Sequence, residues 1–242
     1  MPIFETGHAR NIQRFQEMIS FVTSWGAAYA PTNAAISLSA LSAKLLASDT
    51  AMTAVTSSLA QSKNTVNSRE NTFAGLRKLV TRVVNFYEST GADQNKIDDA
   101  RTLKRKIDGA RATTVVDDPN TPEDESANSV SASQQSYTQL VEHFEALIAL
   151  LGMDPLYFTA ELDLQLGTLT ALSTQMQSNN LAVINATTAL SNARAARDAE
   201  MYADSTGLVD LALLTKKYTK AAFGTDSSQY IQIKGLEFTR PR

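Results

Sequence analysis

The feature of this sequence that most constrains its fold is an internal match between its two halves. Five apolar residues at helical spacing, between Ile12 and Val22, have apolar equivalents between Val141 and Leu151 at a shift of 129 residues. In each half this spacing puts the side chains on one face of a helix. Tyr29 matches Phe158 at the same shift. We therefore expect two tandem copies of one helical unit.

Each copy is also predicted to contain one long helix with a heptad pattern. A shift of 128 residues aligns the long helices, with Leu41 on Leu169 and Arg69 on Arg197. Five heptads give a helix of roughly 50 Å, whose many small polar residues require neighbouring helices to hold it. The predicted stripes are Leu38, Leu45, Met52, Leu59, Val66 and Phe73, with Leu41, Ser48, Val55, Ser62 and Arg69 beside them, and Leu162, Leu169, Met176, Val183, Leu190 and Arg197 in the second copy.

The predicted fold class is all-α, with two tandem copies of a helical-bundle unit and an extended C-terminal tail. The chain contains only 10 Gly and 6 Pro, and such low numbers favour long helices over many short strands. The copies are assigned to residues 1–111 and 136–242, and residues 112–135 form an acidic, proline-containing linker. Residues 230–242 alternate apolar and polar side chains, which predicts an extended segment. This segment either folds back on its own bundle or docks as an arm on a neighbouring subunit.

Charge is distributed unevenly along the chain. Residues 1–111 carry a balance of +5 and residues 112–242 a balance of −8, within a net charge of −3. Chance and the acidic linker account for this asymmetry in one interpretation. In the other, the halves are electrostatically complementary, within one molecule or between neighbours.

Residues suited to catalysis are scarce. The chain has no cysteine, which excludes disulfides, thiolate metal sites and cysteine nucleophiles, and its only histidines are His8 and His143. Glu5 and His8 have the spacing of a di-iron ligand pair, but no second pair exists. Phosphate-binding glycine loops and the serine nucleophile elbow are missing from the sequence. We expect a protein that is not an enzyme and takes no cofactor or metal.

The sequence also bears on membranes, nucleic acid and compartment. No apolar run approaches the roughly 18 residues of a membrane-spanning helix, so we expect no membrane insertion. The N-terminus has no apolar signal segment, so the default compartment is the cytoplasm, although export by a dedicated machinery would leave no sequence mark. Bases between Arg101 and Arg111 could attract phosphate, but the chain is mildly acidic and few aromatics lie among them. Nucleic acid is therefore not the expected partner.

Two stretches resemble a family of bacterial helical proteins known only as uncharacterised. They run from Leu79-Val-Thr-Arg-Val-Val to Arg105-Lys-Ile-Asp-Gly-Ala-Arg111, and from Ala186-Thr-Thr-Ala-Leu-Ser-Asn-Ala-Arg194 to Gly235-Leu-Glu-Phe238. The resemblance spans most of the chain and implies a recurrent two-copy helical fold. It implies no activity, cofactor or site residues.

These features predict a structural protein that assembles with itself, for example as a subunit of a filament or array. The alternative is a helical binding adaptor or a component of a toxin or injection system. The expected partner is accordingly a second copy or another protein. The candidate assembly contacts are Arg101, Lys104, Arg105, Lys106, Arg111, Asp117, Asp118, Glu123, Asp124, Glu125, Tyr230, Ile231, Ile233, Leu236 and Phe238.

Overall fold

The protein is all-α in a computed structural model that describes residues 3–109 and 135–240. No strand occurs within those two ranges. Short 3₁₀ turns at Gly26–Ala28, Ala34–Ile36 and Leu162–Leu164 lie in the connections. The helices are α1 (Ile3–Ser24), α2 (Leu38–Phe73), α3 (Leu76–Ser89), α4 (Gln94–Asp108), α5 (Tyr137–Gly152), α6 (Leu166–Tyr202), α7 (Leu208–Phe223) and α8 (Ser228–Lys234).

Side-chain caps fix the starts of several helices. Asp93 accepts a hydrogen bond from the backbone amide of Asn95 at the start of α4. Ser136 and Ser227 do the same for α5 and α8, accepting from the third amide beyond the cap. Each cap satisfies a backbone donor that the first helical turn leaves unpaired. At the other end of α4, Gly109 adopts a φ of 73°, a left-handed conformation that glycine takes without strain.

The chain forms two compact units. One is assembled from two separate segments of the sequence, and the other from one continuous segment. Unit 1 comprises Met1–Ser62 together with Ala186–Arg242, and unit 2 comprises Lys63–Asn185. The long helices α2 and α6 therefore each contribute one part to unit 1 and the other part to unit 2. The units do not follow the boundaries predicted for the sequence copies, since each takes helices from both sides of residues 110–134. The predicted linker lies, apart from Gln135, outside the described residues.

The core of unit 1 contains α1, α7 and α8 with the first part of α2. Its largest fully buried side chains include Phe15, Met18 and Leu41. Buried residues of α7 and α8, among them Leu208, Ala212 and Ile233, pack in the same cluster. Burial of this apolar surface supplies the main driving force for folding of the unit.

The core of unit 2 contains α3, α4 and α5 with the first part of α6. Val80 and Ile107 from the helices before residue 110 pack with Phe144 and Leu169 from the helices after residue 134. All four side chains are 0% exposed, so they lie in the interior of unit 2.

The heptad prediction is correct for one stripe of each long helix. Leu41, Ser48 and Val55 are buried on α2, and Leu169 and Met176 are buried on α6. The prediction that Leu162 begins the stripe on α6 is wrong, because Leu162 lies in a 3₁₀ turn before the helix and is 75% exposed.

The prediction of an extended C-terminal segment is wrong for Tyr230 to Lys234, which belong to helix α8. Ser227 caps this helix, and Ile233 is buried against unit 1. The spacing of three residues from Tyr230 to Ile233 and Leu236 fits one face of a helix, whereas the predicted alternation was based on Ile231 and Ile233, which are two residues apart. Of the described residues that follow α8, Gly235 forms a turn and residues 236–240 lack regular secondary structure.

The segment after α8 folds back on its own unit. The side chain of Asn11 donates to the carbonyl of Thr239 at 2.7 Å and accepts from the Thr239 amide at 3.0 Å. Arg240 donates to Asp210 at 2.6 Å, and Leu236 is buried. Of the two interpretations of this segment, the structure therefore shows the intramolecular one for residues 230–240.

Candidate interaction surface

Among the described residues of unit 2, four of the six exposed large apolar side chains lie in the loop between α5 and α6, residues 153–162, called here the apolar loop. Met153 is 84% exposed, Leu156 51%, Phe158 86% and Leu162 75%. Single exposed apolar residues are common on protein surfaces, whereas four within ten residues make this loop the candidate interaction site.

The backbone of the apolar loop is held in place by Asp154. One carboxylate oxygen of Asp154 accepts from the amide of Leu156 at 3.0 Å. The other accepts from the hydroxyl of Tyr87 at 2.7 Å and from Nζ of Lys96 at 3.0 Å. These donors lower the pKa of Asp154 below its ordinary value, with the Tyr87 hydrogen bond the largest cause. Burial, together with the same hydrogen bond, raises the pKa of Tyr87 to about 12.

Further contacts fix the second part of the apolar loop. The hydroxyl of Tyr157 donates to the carbonyl of Leu164 at 2.8 Å, and burial raises the pKa of Tyr157 to about 12. Thr159 accepts from the amide of Glu161 at 3.1 Å. Asp163 forms an ion pair with Arg82 of α3, which lowers the pKa of Asp163. The exposed apolar side chains thus project from a preorganised backbone, an arrangement that reduces the entropy lost on binding.

The connection between α1 and α2 in unit 1 has the same anchor but not the same surface. There the hydroxyl of Tyr29 donates to the carbonyl of Ile36 at 2.7 Å, as Tyr157 does to Leu164. The residue of unit 2 that is buried and bonded in the same way as Tyr29 is Tyr157, whereas Phe158 is exposed. When Tyr29 is aligned with Tyr157, a shift of 128 residues, Leu156, Phe158 and Leu162 fall on Ala28, Ala30 and Ala34. The local fold is formed with alanine at these positions, so the large side chains are not required for it.

A second exposed apolar site lies on α6 at Leu181 and Ile184, which are 58% and 61% exposed. Fifteen residues separate Leu181 from the start of α6 at Leu166, or roughly 22 Å at the rise of an α-helix. The site is therefore distinct from the apolar loop. Between Gln165 and Ala193 the sequence contains no charged residue, and depletion of charge is typical of the cores of protein interfaces.

The basic segment predicted as an assembly contact has partners within its own helices. Arg101 forms ion pairs with Glu88 at 2.7 Å and Asp98 at 3.0 Å. Lys104 pairs with Asp108, and Arg105 donates to the hydroxyl of Thr102 at 2.9 Å. Lys106 is exposed. Arg111, Asp117, Asp118, Glu123, Asp124 and Glu125 lie outside the described residues.

The C-terminal candidates are divided between core and surface. Ile233 and Leu236 are buried in unit 1, so they are occupied within the chain. Tyr230 and Phe238 are partly buried, and Ile231 is 50% exposed. These C-terminal residues belong to unit 1, whereas the apolar loop, residues 153–162, belongs to unit 2.

The two histidines lie in different surroundings. His8 is buried in α1, with Nδ1 2.7 Å from the hydroxyl of Tyr202. On α5, burial lowers the pKa of His143, and the positive charge of Lys106 lowers it further. Among the described residues, no group of three or more His, Asp or Glu side chains is placed to hold a metal ion.

One cavity of about 430 Å³ opens in unit 2 at the junction of α2 and α3. Arg69 stacks on the ring of Tyr137 beside it, with Cζ 4.1 Å from the ring centroid. Arg77 donates to Gln135 at 2.9 Å and to the carbonyl of Ile107 at 3.3 Å. Two polar residues that line this cavity, Arg77 and Gln135, thus connect α3, α4 and the start of α5.

The apolar loop was not predicted from the sequence. Its signal was present: Met153, Leu156, Phe158 and Leu162 surround Pro155 and acidic residues in a segment that cannot continue a helix. Large apolar residues in such a connection have no helical face to bury them. Assigning Leu162 to the heptad stripe removed it from that pattern.

Comparison of the chain with protein-family models, curated proteins and solved structures gives no match. The described residues include no helix long and apolar enough to cross a membrane. The resemblance to uncharacterised bacterial helical proteins remains a prediction.

Proposed function

We propose that this chain is a non-enzymatic structural protein that assembles with itself, with the apolar loop as its principal contact surface. The observation that carries the proposal is the exposure of four large apolar side chains on a loop fixed by Asp154 and Tyr157. Such a surface loses little conformational entropy when a partner covers it, and apolar burial then favours the complex by about 25 cal/mol per Å².

The second apolar site supports a second copy as the occupant. Leu181 and Ile184 form a patch on the same unit, remote from the loop, in a stretch of α6 without charge. Contact of the loop on one copy with this patch on the next is heterologous, and a heterologous contact that does not close generates a filament or an array.

The two-copy organisation of the chain is part of this proposal. Support comes from the paired tyrosine anchors, Tyr29 with Ile36 and Tyr157 with Leu164, and from the similar lengths of α2 and α6, 36 and 37 residues. The second copy differs from the first by carrying large apolar residues where the first carries alanine. We interpret that difference as the acquisition of a contact surface on a duplicated scaffold.

The test is a triple variant, Leu156→Ala, Phe158→Ala and Leu162→Ala, which installs the residues found at the matching positions of unit 1. We expect unchanged helicity by circular dichroism and loss of self-association by light scattering and negative-stain microscopy. A matched control replaces Leu46, which is 69% exposed on α2 in unit 1, with alanine.

The salt dependence separates apolar from charge-driven assembly. Apolar contacts persist at high ionic strength, whereas contacts between exposed charges weaken as the Debye length decreases. Assembly by the triple variant at the wild-type level would overturn the role of the loop. A wild-type chain that is monomeric at every concentration and salt would overturn self-assembly and favour an adaptor for a different protein.

A further inference from the structure

Each compact unit contains helices that precede residue 110 and helices that follow residue 134. The N-terminal half, residues 3–109, supplies α1 and the first part of α2 to unit 1, and the end of α2 with α3 and α4 to unit 2. The C-terminal half, residues 135–240, supplies the remaining helices of both units. The helix pairs α3 with α4 and α7 with α8 pack within one half, but α4 with α5 and α1 with α7 pack across the halves, so neither half covers all of its own apolar faces.

Each core contains side chains from both halves. In unit 1, Phe15 and Leu41 from the N-terminal half pack in one cluster with Leu208 from the C-terminal half. In unit 2, Val80 shares a cluster with Phe144. Since buried side chains of this size contribute roughly 1.5–3 kcal/mol each, separation of the halves would be costly wherever such side chains pack across the division.

Specific polar contacts also join the halves in each unit. In unit 1, Lys44 pairs with Glu200 at 2.7 Å. In unit 2, Asn179 donates to the hydroxyl of Thr72 at 2.7 Å. Such directional contacts make the two halves complementary to each other in one defined geometry.

We propose that self-assembly includes exchange of halves between copies, in which the N-terminal half of one chain packs with the C-terminal half of another. The exchanged and closed forms contain the same core contacts and differ in whether the two halves of a unit come from one chain or from two. Exchange of identical elements is a low-cost route to oligomers, and a chain whose two halves pair with two different neighbours propagates without closing. The inference rests on the proposed self-assembly and identifies its partner as a second copy.

Concentration sets the balance between the two forms. Within one chain the halves are covalently joined by residues 110–134, so their effective concentration is high and the closed form predominates in dilute solution. Raising the protein concentration favours pairing between chains by mass action. Both cores must open before halves exchange, so the exchange is slow and is accelerated by brief exposure to mild denaturant.

The test uses cysteine pairs, because the chain has no native cysteine. Thr72→Cys with Asn179→Cys places one thiol in each half of the full chain at a contact within unit 2. Lys44→Cys with Glu200→Cys provides an independent pair in unit 1. The control pair, Glu88→Cys with Arg101→Cys, lies entirely within the N-terminal half, where the native side chains are 2.7 Å apart. Each variant is incubated at high concentration, treated with a short bifunctional maleimide and analysed on a denaturing gel after separation by size.

In the oligomer fraction we expect both pairs across the halves to give a ladder of multiples of the single-chain mass, while the control pair gives the single chain. Single-cysteine variants show whether neighbouring copies cross-link by mere proximity. Oligomers in which all three pairs give only the single chain would overturn the exchange and leave the surface contact of the apolar loop intact. A chain without oligomers at any concentration would overturn both proposals.

Discussion

The hydroxyl of Tyr87 lies 2.7 Å from a carboxylate oxygen of Asp154, and neither side chain is open to solvent. This contact links α3 to the first residues of the apolar loop. Because a hydrogen bond to a charged acceptor is stronger than one between neutral groups, it is a principal restraint on the loop backbone.

Replacement of Tyr87 by phenylalanine removes this bond while keeping the aromatic packing. We expect the free energy of unfolding to decrease by roughly 1.5–3 kcal/mol, as measured by denaturant unfolding. Tyr218→Phe is the control, since Tyr218 packs edge-on against Tyr29 at 5.3 Å between ring centroids in unit 1. A loss from Tyr87→Phe no larger than that from the control would contradict the assigned role.

Stability is expected to decrease in acid partly through Asp154. Its pKa is lowered in the folded state by Tyr87, the Leu156 amide and Lys96, whereas in the unfolded chain it titrates near 3.9, its approximate ordinary value. The unfolded state therefore binds the proton first. The stabilising contribution is complete above that value and is lost as the pH falls through about 4 towards the lower folded pKa.

The measurement is denaturant unfolding of the wild type and Asp154→Asn across this acidic range. We expect a shallower decrease in stability for the variant, because it no longer has the carboxylate that titrates. Asp163→Asn is a control, since Asp163 is about half exposed and its ion pair is screened by solvent. Equal slopes for the wild type and Asp154→Asn would rule out this contribution.

Ser48 and Ser173 provide a matched test of buried hydroxyl groups on the two long helices. Ser48 is 0% exposed and its hydroxyl has no hydrogen-bond partner, whereas Ser173, 3% exposed, donates to Glu145 at 3.0 Å. We expect Ser48→Ala to raise the free energy of unfolding by roughly 1–2 kcal/mol and Ser173→Ala to lower it by about 1 kcal/mol. Since the gain in helix propensity is the same at both sites, opposite signs isolate the hydrogen bond. Changes of the same sign would refute this explanation.

The breaks that follow the two long helices differ in their tolerance of a side chain. A Cβ at Gly207 would lie 2.7 Å from the backbone nitrogen and oxygen of Ala203, although its φ of −72° suits any residue. At Gly75 a Cβ would meet nothing within 4 Å. We expect Gly207→Ala to destabilise by roughly 1–3 kcal/mol through overpacking, and Gly75→Ala to be neutral or to stabilise by up to about 1 kcal/mol. Thermal unfolding monitored by circular dichroism distinguishes them, and equal melting temperatures would show that the backbone near Ala203 moves freely.

Cleavage between the halves tests the composition of the units. A protease recognition sequence inserted between residues 110 and 134 allows the purified chain to be cut once. We expect the two fragments to elute together in native size exclusion and to separate only in denaturant, because each core contains residues of both. Fragments that separate without denaturant would show that each half folds by itself.

Much of the helical framework could be predicted from residue spacing alone. Leu41 and Val55 on α2, with Leu169 on α6, occupy the predicted seam because burial on one helical face imposes its period on the sequence. The same argument failed at Leu162, where the pattern was extended beyond the start of the helix. It failed again at Ile233, since seven residues of α8 are too few to separate a period of two from one of three to four.

The composition of the units could not be predicted, for a different physical reason. A repeated pattern specifies that Phe15 and Phe144 each need an apolar partner, but two similar copies offer nearly equivalent partners. The choice between packing within a copy and packing across copies depends on loop lengths and on the side chains at each contact. The exposure of Phe158 could likewise not be predicted, because it depends on which residues the neighbouring helices cover.

The interlocking of the two halves has a consequence for how the chain is made on the ribosome. Unit 1 needs α7 and α8, and unit 2 needs α5 and part of α6, so an emerging chain of the first hundred or so residues has no complete core. Because synthesis proceeds at roughly 5–20 residues per second, the apolar faces of α1 and α3 stay exposed for several seconds before the helices that cover them are made. On a polysome, neighbouring nascent chains present these faces side by side, and α5 of one chain is as suitable a partner for α4 as α5 of the same chain.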